Sequence, residues 1–327
     1  MKAIVLRRPG ELTLENRERP EPAEDQVQLR VLACGVCRTD LHVLDGELPD
    51  PALPLVLGHE IVGEVTALGP GVDGFAVGDR IGMPWLASTC GACEDCRAGR
   101  ENLCPAAAFT GYTIDGGYAE YAVADARFCL PVPSRLPSAE VAPLLCAGLS
   151  GYRSYRAIGF VPQRLGIYGF GAAAHLLCQV AVQDGARVFA FTRPGDEASQ
   201  AHARELGAGW AGDSDQPPPE ALDAAVIFAP VGALVPVALA AVRPGGVVVC
   251  GGIHMSDIPS FPYALLWGER VLRSVANLTR LDGVEFMDRV RERPLHVDTV
   301  AYPLESTLEA LEDLRHGRFT GAAVVVP

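Results

Sequence analysis

Apolar and polar positions follow two different rhythms along this chain. In the first 130 or so residues the period is two. Val27-Gln28-Leu29-Arg30-Val31-Leu32 alternates, 61–68 is a second β-prone run, and Gly69-Pro70-Gly71 and Gly78-Asp79 punctuate them. Such a pattern predicts antiparallel strands separated by tight turns. Met1 to Arg8 reads as a further strand ending in a turn at Pro9-Gly10. The region as a whole is expected to be barrel-like, with loop insertions.

Beyond about Leu149 the texture changes. Short apolar runs at 165–168, 187–191, 224–228 and 247–250 alternate with helix-like segments at 172–183, 197–206 and 234–242. That alternation implies βαβ units and a parallel sheet covered on both faces. The 213–220 stretch, with Pro217-Pro218-Pro219, reads as a surface loop, and 271–275 as one more strand. From about Pro294 the pattern shifts again. A strand at 297–302, an amphipathic helix at 304–316 stopped by Gly317, and a strand at 322–326 follow one another. This tail can extend the parallel sheet or return to the first region, and the pattern leaves both open. The expected division is 1–150 with 294–327 in one domain and 151–293 in the other.

Composition narrows the function classes. A chain of 327 residues fits two domains, since domains run to roughly 100–200 residues. Its formal net charge of −13 repels phosphate backbones and argues against nucleic-acid binding. No apolar run reaches the roughly 18 residues of a membrane helix, and the first apolar stretch is too short for a signal peptide. A cytoplasmic protein with no membrane partner is expected. In that setting ten cysteines read as metal ligands or catalytic groups rather than disulfides. Cys34, Cys129 and Cys178, each alone in an apolar stretch, read as buried thiols.

Cys90-x2-Cys93-x2-Cys96-x7-Cys104 is the sharpest local motif. Zinc accepts four thiolates at tetrahedral corners, and two-residue gaps let one loop wrap the ion. Four protein ligands close the coordination sphere, so this metal would staple a loop. A nucleic-acid zinc module would carry a basic face, whereas Glu94, Asp95 and Glu101 offset the arginines here. A second set is scattered: Cys37, with Thr39, Asp40 and His42 after it, then His59-Glu60, then Cys146. By residue type alone these are core or surface positions, or a shared site of three ligands with an open corner for chemistry. Gly169-Phe170-Gly171-Ala172-Ala173-Ala174 follows an apolar strand and opens a helix. Its G-x-G-x-x-A spacing places Gly169 in the tight turn, Gly171 where backbone meets a pyrophosphate, and Ala174 where helix packs on strand.

These segments together resemble the zinc-containing alcohol dehydrogenases of the medium-chain dehydrogenase/reductase superfamily. Gly58-His59-Glu60-x2-Gly63-x5-Gly69-x2-Val72 matches that family's zinc signature, the four-cysteine loop follows at the expected distance, and the resemblance spans essentially the whole chain. It implies an α/β protein, a GroES-like β-barrel catalytic domain joined to a Rossmann-type doubly wound parallel sheet. It implies an NAD(P)-dependent alcohol dehydrogenase or aldehyde reductase, moving a hydride reversibly between a nicotinamide and small primary or secondary alcohols, aldehydes or ketones. Two zinc ions per subunit and a homodimer or homotetramer follow from the same likeness.

The family pattern assigns the catalytic zinc to Cys37, His59 and Cys146, with Glu60 beside it and Asp40 accepting the other ring N–H of His59. Thr39 and His42 match the proton relay, for which an imidazole is suited. Arg38 and Arg318 are expected to reach the pyrophosphate, and Ser150 the nicotinamide side. Trp85 and Leu48 fall at substrate-pocket positions, Leu48 admitting longer or branched alcohols. NAD-preferring members carry Asp or Glu at the end of the second strand of the nucleotide domain. Here Thr192-Arg193 stands there, which leans towards NADP(H), while nearby Asp196 and Glu197 keep NAD(H) open. Two other readings compete. A zinc polyol or sugar dehydrogenase is opposed by Cys146, since many of those enzymes place Glu there. A non-enzymatic zinc- and nucleotide-binding regulatory protein is opposed by the second ligand set and the relay.

Overall fold

A computed structural model describes all 327 residues. The chain forms two compact units, residues 1–149 with 277–327, and residues 150–276. No helix is long and apolar enough to cross a membrane.

The first unit is built around the strand Gln26–Val36. Its inward residues Val27, Leu29 and Val31 are buried, as the alternation predicts. Glu60–Leu68 runs antiparallel along it, with register shifts at Gln28/Leu29 and Val31/Ala33 of the kind that bend a strand. On its other edge the strand changes partner part-way. Residues Gln26 to Arg30 pair with Tyr121–Asp125, and Cys34 to Val36 pair with Ala322–Val326. The apolar interior includes Leu29, Ile61, Val65, Ile81 and Val325. Each fully buried aliphatic side chain of this size contributes roughly 1.5–3 kcal/mol.

The tail therefore returns to the first unit. Four residues of Ala322–Val326 are buried, and the strand fills the edge beside Cys34 while pairing in parallel with Thr299–Pro303. Helix Arg280–Glu292 also belongs to this unit. Its Phe286 is 1% exposed and packs so closely on Gly148 that a Cβ there would lie 2.6 Å from the ring. The break between the units thus falls at Ala276/Asn277, earlier than position 294. A capping box at Thr279 and Asp282 starts the helix.

The second unit is a six-stranded parallel sheet. Its spatial order is Trp210–Asp213, Arg187–Thr192, Arg164–Tyr168, Leu222–Ile227, Val242–Cys250, Val271–Ser274. Numbered along the chain this is 3-2-1-4-5-6, the doubly wound order. It opens a crevice beyond the C-terminal strand ends where the order reverses. Arg164–Tyr168 is apolar after its first residue and buried from Leu165 onward, because neighbours flank it on both sides. The edge strand Trp210–Asp213 has no clear period in the sequence. It is four residues long and contains a glycine.

Candidate functional site

Three separate stretches of the first unit converge on one buried cluster. Cys37 caps the helix Arg38–Leu44. His59 and Glu60 lie where the chain enters the strand Glu60–Leu68. Cys146 closes the short 3-10 turn Ala142–Leu145. One ligand atom from each of Cys37, His59, Glu60 and Cys146 lies within 4.8 Å of all the others. The Sγ atoms of Cys37 and Cys146 are 4.0 Å apart.

The surroundings orient these groups. Asp40 Oδ2 accepts the backbone N–H of Cys37 at 2.9 Å, and Asp40 Oδ1 lies 3.0 Å from His59 Nδ1. With Nδ1 engaged, Nε2 is the atom left for coordination. It is buried and has no hydrogen-bond partner, a costly state for a polar nitrogen unless an ion takes its lone pair. Glu60 rests against Gly35, where a Cβ would stand 1.8 Å from Glu60 Oε2. Only glycine leaves room for that carboxylate. Trp85, 7% exposed, meets the His59 ring edge-on at 4.9 Å and stacks on Phe109 and Tyr112.

Electrostatics point the same way. The hydrogen bond from Cys146, helped by His59, holds the Cys37 thiol well below its usual value. That same bond, then burial, raises Cys146. Burial, with the Cys37 charge added, pushes the Glu60 carboxyl well up. Burial opposes a charged His59, but the Asp40 carboxylate outweighs it and raises the imidazole. Two half-buried thiols beside a buried imidazole and a buried carboxyl suit a divalent cation of intermediate softness. The donor set fits zinc, with three N/S ligands and a carboxylate able to approach.

The other cluster is local. Cys90, Cys93, Cys96 and Cys104 bring their sulfurs within 4.8 Å of one another. Backbone N–H groups of Ala92 and Cys93 donate to Cys90 Sγ at 3.4 and 3.3 Å. Those donors bring the Cys90 thiol down to about 6. Glu101, inside the loop, holds Arg280 through its side chain and backbone N–H. Four sulfurs and no further donor fit a closed tetrahedral zinc.

In the second unit Gly169 turns at φ +86°, and a Cβ there would meet Ala229 N at 2.8 Å. Gly171 caps the helix Ala172–Gln183, and Ala174 is fully buried. The helix start thus presents backbone N–H groups where an anion can bind. Arg193 is 88% exposed and lies 3.9 Å from Asp196.

Not every expected residue is free for a ligand. Thr192 is 2% exposed, and its hydroxyl is engaged by Gln200 and the Arg193 carbonyl. Arg318 pairs with Asp313 at 2.9 Å, Arg38 is exposed and Ser150 half-buried. Leu48 packs against the main apolar core. Thr39 is buried, and His42 Nδ1 bonds Glu47. Two residues escaped the sequence reading. Asp213 sits opposite Thr192 in the sheet register, accepting from Gly195 N–H and Gln200. Tyr118, wholly buried, donates to Asp40 at 2.9 Å. No local spacing announces either.

Comparison with known proteins agrees. The Alcohol dehydrogenase GroES-like domain family matches residues 23–134. The chain is 46% identical to a probable alcohol dehydrogenase, AdhA, of Mycobacterium tuberculosis over 100% of this chain and 97% of that one. Among solved structures, acetophenone reductase from Geotrichum candidum in complex with NAD is 28% identical at TM-score 0.90, covering 100% and 97% of the two chains. A putative zinc-binding dehydrogenase from Sinorhizobium meliloti bound to NADP is 26% identical at TM-score 0.89, covering 100% and 99%. A GroES-like region and a parallel Rossmann-like sheet in one chain, matched end to end by such relatives, make this protein a member of the zinc-type medium-chain alcohol dehydrogenases, with alcohol dehydrogenase/reductase activity.

Proposed function

We propose that the protein interconverts small primary or secondary alcohols with their aldehydes or ketones, using one zinc at Cys37, His59 and Cys146 and a second at the four-cysteine loop. The observation that carries this reading is the buried His59 Nε2, unpartnered among two thiols and a carboxyl. Cys37, His59 and Cys146 would hold a zinc there that would supply Lewis-acid chemistry, and a bound nicotinamide would supply the hydride chemistry.

The chain's own residues supply the rest. Asp40 fixes the His59 tautomer. Glu60 adds a carboxylate that can approach the metal during ligand exchange. Thr39 stands two residues from Cys37, 3.8 Å from its sulfur, and its hydroxyl receives the substrate proton. His42 follows three residues later on the same helix face and hands that proton towards water. Gly169, Gly171 and the helix start would hold the pyrophosphate, for which Arg38 and Arg318 are the candidate cationic contacts. Ser150 contacts the nicotinamide side.

The lean is towards NADP(H). The exposed Arg193 is available to a 2′-phosphate, and the Asp213 carboxylate nearby has its Oδ1 engaged by Gly195 and Gln200. Relatives are known with NAD and with NADP. A homodimer or homotetramer fits the exposed Tyr263 and Trp267 on the second unit.

The test is a steady-state comparison of NADPH and NADH with a panel of aldehydes and ketones, alongside zinc analysis, on wild type and Thr39→Val. Two zincs per chain, faster turnover with NADPH, and a roughly hundredfold lower kcat in Thr39→Val at unchanged zinc content are expected. Wild-type turnover in Thr39→Val would remove the relay. A preference for polyols would replace the substrate reading, and zinc-independent turnover would end it.

A further inference from the structure

Asp40 is 1% exposed, and no lysine or arginine reaches it. A buried carboxylate is tolerated only when hydrogen bonds replace water. Three groups supply them: Cys37 N–H at 2.9 Å, His59 Nδ1 at 3.0 Å and the Tyr118 hydroxyl at 2.9 Å. The hydroxyl is the only one of the three that belongs to neither a proposed metal ligand nor its backbone. Its alternative acceptor, Gly35 O, lies farther off at 3.4 Å.

The ring of Tyr118 has a second contact. Gly58, the residue before His59, adopts φ +92°, and a Cβ there would lie 2.7 and 2.8 Å from the Tyr118 ring carbons. Backbone bonds from Gly117 N to Gly58 O and from Tyr118 N to Leu57 O, both 2.9 Å, hold the two segments together. One side chain thus touches the approach to His59 with its ring and the acceptor of His59 with its hydroxyl.

We propose that Tyr118 is a positioning residue for the buried zinc: its hydroxyl fixes Asp40 so that Asp40 fixes the His59 ring with Nε2 directed at the metal. This rests on the ligand reading above. Phenylalanine at 118 keeps the ring against Gly58 and removes only the hydroxyl. Asp40 would then accept two hydrogen bonds, and the His59 ring would gain freedom. Outer partners of metal ligands are commonly worth about 10–100-fold in metal affinity. Tyr118 is one bond further out, so the low end is expected.

The experiment follows zinc release from the full-length loaded protein into excess chelator. Cys146→Ala identifies which phase comes from the buried cluster. Tyr118→Phe should speed that phase about tenfold and leave the four-cysteine phase unchanged. In an Asp40→Asn background the same substitution should add nothing, because coupled residues are not additive. An unchanged buried-site phase in Tyr118→Phe, or effects that simply add, would overturn the proposal while leaving the ligand set standing. A wild type with zinc on the loop alone would overturn the ligand set itself.

Discussion

The four-cysteine loop and the buried cluster use sulfur in opposite settings. The loop gathers its donors from fifteen consecutive positions, leaves Cys90 exposed, and steadies the charge with its own backbone N–H groups. The buried cluster draws Cys37, His59, Glu60 and Cys146 from three distant stretches. It holds them with an outer layer of Asp40, Tyr118, Gly35 and Trp85. A loop that supplies four equal ligands closes around its ion. A site of unlike donors assembled by tertiary structure can leave a corner for a substrate.

Substitutions can sharpen or break this contrast. The largest effect should come from Cys146→Ala. One zinc of two is lost and kcat/KM falls by about a thousandfold, the equivalent of about 4 kcal/mol of transition-state stabilisation. Metal analysis that still finds two zincs would remove Cys146 from the ligand set. Next comes Cys90→Ser, which should empty the loop alone. The melting temperature should drop by about 5–10 °C, the mark of about 3 kcal/mol lost from a unit of this size. Turnover at low temperature should fall far less than in Cys146→Ala. Equal losses of turnover in the two variants would abolish the distinction between stapling and chemistry.

The smallest effect concerns how the loop is moored. Burial alone would raise the Glu101 carboxyl, but Arg280 outweighs it and holds it below the usual range. A depressed folded value means the stabilisation is complete above the ordinary glutamate value of about 4.3 and fades as the pH falls below it. Glu101→Gln should therefore cost about 1.5–3 kcal/mol at pH 7, with wild type and variant converging as the pH falls below about 4. Denaturant titrations at several pH values would check this, and a difference that persists in acid would assign the loss to packing.

Legibility in the sequence followed the same divide. The loop sulfurs and the 169–174 glycine turn announce themselves because their parts are neighbours along the chain. Strands such as Arg164–Tyr168 show through because burial on two faces leaves an unbroken apolar run. The convergence of Cys37, His59 and Cys146 has no signature of its own and came from resemblance to a family. Asp213 gains meaning only through its register opposite Thr192, and Tyr118 only through a hydroxyl that reaches 78 residues back to Asp40. Thr192 is a different case. Its position at the strand end suggests a cofactor contact, but local hydrogen bonds engage its hydroxyl.

The strand Ala322–Val326 has a consequence for how the molecule comes into being. It lies against the segment that leads into Cys37, yet it follows the whole parallel-sheet unit in sequence. The parallel-sheet unit is continuous in sequence and can finish folding while the barrel still has an unzipped seam. During synthesis, then, the half that carries the reactive sulfurs can close this seam only after the whole parallel-sheet unit has emerged.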